Sequence, residues 1–221
     1  MQSQFNKNQF EGQSFYIGID VHKKSWKVTI LGEEYEHKSF SQDPEVKHLV
    51  SYLHNNFPGG NYHAVYEAGF SGFELSRKLN NSGVKCLVVH PADIPTSKKE
   101  KVQKTDKADS RKLARCLRSN AIDGINIPVR NLESDRALVR QRFRIVKEVG
   151  RIKNRVKSLL FQFSIEIPDA YSEMQTRSWS RNYLNWLKTV DIKETSLRVT
   201  LNNYIEIGSF LRKGLLTSVR F

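Results

Sequence analysis

The feature that most constrains this chain is a pair of short apolar runs that each end in a carboxylate. Phe15–Asp20 reads Phe-Tyr-Ile-Gly-Ile-Asp, and His63–Glu67 reads His-Ala-Val-Tyr-Glu. Apolar runs of this length, bounded by turn residues, read as buried strands. Buried strands need helices on their faces, so the chain has to fold as a layered α/β structure. Ligands of such sheets usually sit beyond the carboxyl ends of the strands. Asp20 and Glu67 both lie at such ends.

The rest of the first half fills in that plan. Ser25–Leu31 alternates as a second strand, after a turn at Val21–Lys24. Glu34–Phe40 follows Gly32 as a third, and the three read as an antiparallel meander. Asp43 caps a helix with Pro44 in its first turn and Val46, Leu49, Val50 and Leu53 inward. Pro58-Gly-Gly breaks the chain before His63–Glu67. Gly69–Asn80 reads as a helix with Phe73, Leu75 and Leu79 inward, stopped by Asn81-Ser-Gly. Lys85–Val89 is a fifth, buried strand. Ile94–Lys104 is basic and lacks an apolar period, which predicts a mobile loop. Thr105 caps a helix to about Asn120, with Ala108, Leu113, Ala114 and Leu117 as its core side. The fold class is α/β, a mixed sheet flanked by helices.

A different pattern begins after Pro128. Leu138, Ile145, Ile152 and Leu159 recur every seven residues, and Val149, Val156 and Phe163 do so on the neighbouring row, where Arg142 fills the first slot. These are the d and a positions of a heptad, on a helix spanning 132–163. Two readings stay open: a helix packed on its own domain, or a coiled-coil stalk with a basic outer face that makes a homo-oligomer. Beyond Pro168, Trp179, Tyr183, Trp186 and Leu187 suggest one helix. Tyr204, Ile205, Ile207, Phe210 and Leu211 suggest another, with packing roles.

Charge narrows the partner. The chain carries a net charge of +13 over 221 residues. Residues 98–118 hold nine Lys/Arg against three acids, and residues 130–157 hold ten against three. These two segments supply the whole excess. Charge so concentrated points to a polyanion, because phosphate contacts release counterions and set affinity. The expected contacts are Lys98, Lys99, Lys101, Lys104, Lys107, Arg111 and Lys112 in the first segment. In the second they are Arg140, Arg144, Lys147, Arg151 and Arg155. No run of about 18 apolar residues exists, so no membrane span is expected. The N-terminus has no apolar leader core, and residues 1–14 read as a disordered lead. Cys86 and Cys116 fit no metal or disulfide spacing and read as buried thiols of a reducing cytoplasm.

Asp106 and Asp109 add chemistry. Three apart at a helix start, they share one face. The helix dipole alone accounts for acids there. Yet Lys104, Lys107, Arg111 and Lys112 surround them and can hold an anionic strand beside them. Magnesium and manganese want hard oxygen ligands. Carboxylates from two strand ends and one helix start suffice for two such ions, about 3.5–4 Å apart, that clamp an in-line phosphoryl displacement. His22 and His63 lie near the strand ends, within reach of the site, and surface histidines are the favoured reading of the two. Gly69-Phe-Ser-Gly lacks the Lys-Ser/Thr of a phosphate loop.

The segments Tyr16-Ile-Gly-Ile-Asp-Val-His-Lys-Lys-Ser-Trp-Lys-Val, Tyr66-Glu-Ala-Gly, Val89-His-Pro and Lys104-Thr-Asp-Lys-Ala-Asp-Ser-Arg-Lys-Leu-Ala carry a resemblance. In order and spacing they resemble the N-terminal DEDD domain of insertion-sequence transposases, the family associated with bridge-RNA-guided recombination. The resemblance covers about 15–163, and Lys-Thr-Asp-x-x-Asp is its most specific part. It implies a RuvC-like, ribonuclease-H-type fold. It implies that Asp20, Glu67, Asp106 and Asp109 are catalytic and bind Mg2+ or Mn2+. It also implies a coiled coil after the catalytic domain, with DNA and a guide RNA as partners in a prokaryotic, nucleoid-associated setting. Full-length members continue into a domain with a serine nucleophile. Ser209 and Ser218 have neighbours that do not match it, so that domain is expected to be missing.

The expected domains are a lead at 1–14, a RuvC-like catalytic domain at 15–128, a long basic helix at 129–167 and a helical segment at 168–221. The expected function is metal-dependent DNA strand cleavage and transfer in transposition. Two alternatives stand beside it: a nucleic-acid-binding module that does not cut, and a stand-alone RuvC-like junction nuclease.

Overall fold

The structure, a computed structural model, describes residues 9–95, 106–171, 174 and 179–217, with only the backbone of Asp106 and Lys107. The chain divides into two compact units, Met1–Ile127 and Pro128–Phe221.

The first unit is built on one five-stranded sheet of order β3-β2-β1-β4-β5. Its strands are β1 (Ser14–Val21), β2 (Trp26–Leu31), β3 (Glu36–Gln42), β4 (Asn61–Glu67) and β5 (Lys85–Val89). The first three form the antiparallel meander. β4 lies parallel to β1, and β5 parallel to β4. Three helices complete the unit: α1 (Val46–Asn56), α2 (Glu74–Asn81) and α3 (Asp106–Arg118).

Alternation along β1 sorts the layers, because successive strand side chains point to opposite faces. Phe15, Ile17 and Ile19 join Leu49 and Leu53 of α1 and Leu75 and Leu79 of α2 in the larger core. Full burial of each such side chain contributes about 1.5–3 kcal/mol. On the other face Val65 and Val89 pack with Ile94, Leu113 of α3 and Ile122.

Three boundaries differ from the sequence reading. α1 starts at Val46 with Glu45 at its N-cap and no side-chain cap bond, so Asp43 and Pro44 precede the helix. α2 starts at Glu74, because Gly69 to Phe73 form turns, with Gly72 left-handed at φ +59°. Glycine weakens a helix start and suits such turns. Tyr66 Oη donates to the Gly72 carbonyl at 2.8 Å and ties the turn to β4. Residues 10–13 belong to the fold rather than to a disordered lead. Phe10 packs edge-on against Phe15 and Phe57, its N–H donates to the Pro58 carbonyl, and the Gln13 carbonyl accepts from Asn61.

The second unit contains α4 (Arg130–Gln162), α5 (Arg181–Thr189) and α6 (Thr195–Thr217). Ile152, Val156 and Leu160 of α4 bury against Trp179, Tyr183, Leu187, Leu201 and Ile205. A β-carbon at Gly208 would stand 2.5 Å from the Trp179 ring, so α6 needs glycine there for the indole to seat. Over this stretch the seven-residue row has its partner within the same chain. Towards the start of α4 a different row is exposed: Leu132, Val139, Phe143 and Val146. Ile207 and Phe210 of α6 are exposed, although both sit in the expected helix.

Candidate active site

β1 and β4 run parallel in register, with Gly18 opposite Val65 and Ile19 opposite Tyr66. Asp20 and Glu67 are the next step along that register, on neighbouring strands that lie about 4.8 Å apart. Glu67 is the last residue of β4, and only Val21 follows Asp20 in β1. Gly18 and Asp20 share one face of the sheet, as do Val65 and Glu67. It is the face on which Leu113 of α3 packs.

Contacts along α3 give its direction. Ser110 lies against Gly18, with the Ser110 carbonyl where a Gly18 β-carbon would be. Ser110 Oγ bonds Thr29 Oγ1 at 2.9 Å, and Thr29 pairs with Gly18. At the other end of α3, Arg118 donates to the carbonyls of Gly32 and Glu33. Those residues follow Leu31, which pairs with Tyr16 near the start of β1. The helix therefore runs against β1 and begins at the edge where Asp20 and Glu67 stand. Asp109 immediately precedes Ser110. The backbone of Asp106 lies about one turn earlier, at the helix start. Its side chain is outside the described residues.

Of the two histidines expected near the strand ends, His22 is exposed and reaches one of the acids. Its Nε2 lies 3.1 Å from Asp20 Oδ2. The signal was its spacing: residues two apart on an extended chain point the same way. His22 also lines a cleft of about 580 Å³ with Lys23, Lys47 of α1 and Lys78 of α2. His63 does not join the acids. It pairs in register with Tyr16 and stacks on its ring at 5.7 Å, four residues down β4 from Glu67. Burial, and then Lys85, hold its pKa below the usual histidine value.

The donors at this edge are carboxylate oxygens with one imidazole against them. That set suits a hard divalent ion such as Mg2+ or Mn2+. Among the described residues no three His, Cys, Asp or Glu side chains form a ready cation cluster. The cysteines take no part: Cys86 is buried, with its thiol pushed up to about 12, and Cys116 is half-buried.

The expected phosphate contacts divide into groups. Lys98, Lys99, Lys101 and Lys104 lie outside the described residues, as does the side chain of Lys107. Lys112 is half-buried. Arg111 makes a two-pronged bond to Glu36 at 2.6 and 2.7 Å, tying α3 to β3. Arg140, Arg144, Lys147, Arg151 and Arg155 are all exposed on α4 at spacings that keep them on one face. Arg151 pairs with Glu148 one turn away.

A mixed five-stranded sheet flanked by helices, followed in the chain by a long helix, is the architecture of a ribonuclease-H-like DEDD transposase domain. Residues 17–165 match the sequence profile of the IS110-type DEDD family, described as transposase. The chain belongs to this family. It is 30% identical over 196 residues to the transposase for insertion sequence element IS1533 of Leptospira borgpetersenii, which covers 86% of this chain and 54% of that protein. Two proteins of Sinorhizobium fredii carrying the transposase name are also similar. One, y4qE, is 26% identical over 92% of this chain and 52% of its own length. The other, y4rJ, is 28% identical over 67% of this chain and 42% of its own length. The chain thus spans about half the length of these relatives. No described helix is long and apolar enough to cross a membrane.

Proposed function

We propose that this chain carries the DNA-cutting acidic site of an insertion-sequence transposase, with Asp20, Glu67, Asp106 and Asp109 holding two Mg2+ or Mn2+ ions. One observation carries the reading. Asp20 and Glu67 stand at the ends of adjacent parallel strands on the face crossed by α3, and α3 begins at that same edge with Asp109 in its first turn. Bound there, the ions would activate an attacking oxygen and steady the leaving oxygen of a phosphodiester. The chain's own work is to hold and orient. The carboxylates fix the ions, and His22 steadies Asp20. The lysines of 98–107 neutralise the phosphates of the strand being cut.

The exposed basic face of α4 is the proposed seat of a guide RNA or of the element's DNA ends. The apolar row Leu132, Val139, Phe143 and Val146 is spaced seven, four and three, as in a coiled-coil seam. It is the proposed contact with a second copy. The proposed setting is the bacterial cytoplasm, at the nucleoid. The α4 face needs no acid to bind a polyanion, which favours a second reading in which the chain grips nucleic acid without cutting.

Cleavage of element-end and branched DNA with magnesium, with and without RNA, separates these readings when Asp109→Ala is run beside the wild type. Cutting by the wild type alone supports the enzyme. Equal binding with no cutting by either protein leaves the binding module. Replacing Lys98, Lys99 and Lys101 by alanine should reduce the salt dependence of duplex binding. The log–log slope should fall by about 3, near 0.9 per lost phosphate contact. An unchanged slope would place the nucleic acid elsewhere.

A further inference from the structure

We propose that His22 is a positioning residue for Asp20, setting the direction in which that carboxylate presents itself to a divalent cation. The inference rests on Asp20 being a cation ligand, and extends it to a residue that binds no ion itself.

The contact is direct: His22 Nε2 to Asp20 Oδ2, at 3.1 Å. An imidazole with its hydrogen on Nε2 donates one bond to that oxygen. A carboxylate has about four lone-pair sites, so a single bond to one oxygen orients the group without using up its capacity as a ligand. The backbone fixes where the imidazole starts from. His22 N–H donates to the Ser25 carbonyl at 3.2 Å, closing the turn between β1 and β2. The next residues inward, Val21 and Trp26, are paired in the sheet. Burial differs usefully across the pair. The Asp20 side chain is 20% exposed and that of His22 is 50% exposed. The carboxylate is thus held at the sheet edge, while the imidazole reaches it from the solvent side and from the wall of the cleft. Outer partners that orient a ligating group matter to the ion. Their loss typically weakens metal binding about 10- to 100-fold.

The test is calorimetric titration of manganese chloride into the full chain, comparing wild type with Asp20→Ala, His22→Ala, His22→Leu and His22→Gln. Glutamine places an N–H donor near the position of Nε2, whereas leucine has similar bulk and no donor. The expected result is about 10- to 100-fold weaker manganese binding in His22→Ala and His22→Leu, with His22→Gln within a few-fold of wild type. Melting temperatures should stay together, since the imidazole is half exposed. A merely structural role would not separate glutamine from leucine. If the alanine variant fails to fold, the glutamine–leucine pair still decides. Wild-type affinity in His22→Leu, beside weakened Asp20→Ala, overturns the positioning role and leaves the ion site standing. Equal weakening in Leu and Gln variants also overturns it. Unchanged binding in Asp20→Ala removes the ligand assignment, and the His22 proposal with it.

Discussion

Gly18 of β1 and Ser110 of α3 meet backbone to backbone. A β-carbon on Gly18 would stand 1.9 Å from the Ser110 carbonyl oxygen and 2.6 Å from the Ala114 nitrogen. Both obstacles are main chain, so no rotamer change relieves them. This close approach lets α3 lie on the sheet and brings its first turn to the edge occupied by Asp20. Gly18→Ala is expected to push the helix away and cost about 1–3 kcal/mol, the usual range for overpacking. Urea unfolding of the variant beside wild type measures this. Manganese affinity should fall as well, because Asp109 moves with the helix. A variant of unchanged stability would mean that α3 does not sit this close.

Arg111 offers a contrast with the lysines before it. Its fork on Glu36 is partly exposed, about 30% on each side. A bidentate pair in that setting contributes on the order of 0.5–1 kcal/mol. Arg111→Ala is therefore expected to lower stability by about that much and to leave the salt slope of nucleic-acid binding unchanged. Fluorescence anisotropy across a salt series checks it. A slope lowered by about 1 would mean that the guanidinium leaves Glu36 for a phosphate.

Tyr183 carries a local cost. Its hydroxyl is buried and has no hydrogen-bond partner among the described residues. Burial pushes the phenol up to about 12. Tyr183→Phe is expected to stabilise the chain by about 1 kcal/mol, since an unpaired buried polar group costs 1–3 kcal/mol. An unfolded phenol ionises near 10. The folded value lies above it, so stability is intact below about pH 10 and is lost between about 10 and 12. The advantage of phenylalanine should widen over that window in urea titrations. A variant less stable than wild type at pH 7 would reveal a hydroxyl partner.

Much of this architecture was legible in the sequence because it is written in local periodicity. The run 85–89 matches β5 residue for residue, and the other four strands shift at their ends by one or two residues. Alternation set the inward faces, and an acid at a strand end marked the edge of interest. Tertiary relations were not legible. Nothing near Gly18 says that a helix about 90 residues later will rest on it. The heptad row on α4 reads the same whether its partner is another copy or the chain's own α6. Arg111 reads as one more phosphate-seeking cation until the fold brings Glu36 to it. For His22 the two-residue spacing from Asp20 hinted at the contact, and the fold supplies the 3.1 Å approach.

Acid sensitivity should come from two histidines away from the candidate site. His37 packs against Phe15, Tyr35 and Phe57, and burial lowers its pKa. His63 is lowered by burial and then by Lys85. Both folded values lie below the unfolded one near 6.5, so the fold favours neutral rings. Their contribution is therefore fully present above about pH 6.5 and is lost as the pH falls through the depressed folded values. His37→Phe keeps an aromatic ring among its neighbours, and His63→Gln keeps a polar side chain beside Lys85. The double variant should lose less melting temperature than wild type between pH 7.5 and pH 5, followed by circular dichroism. Equal losses in the two proteins would shift the acid sensitivity to the carboxylates.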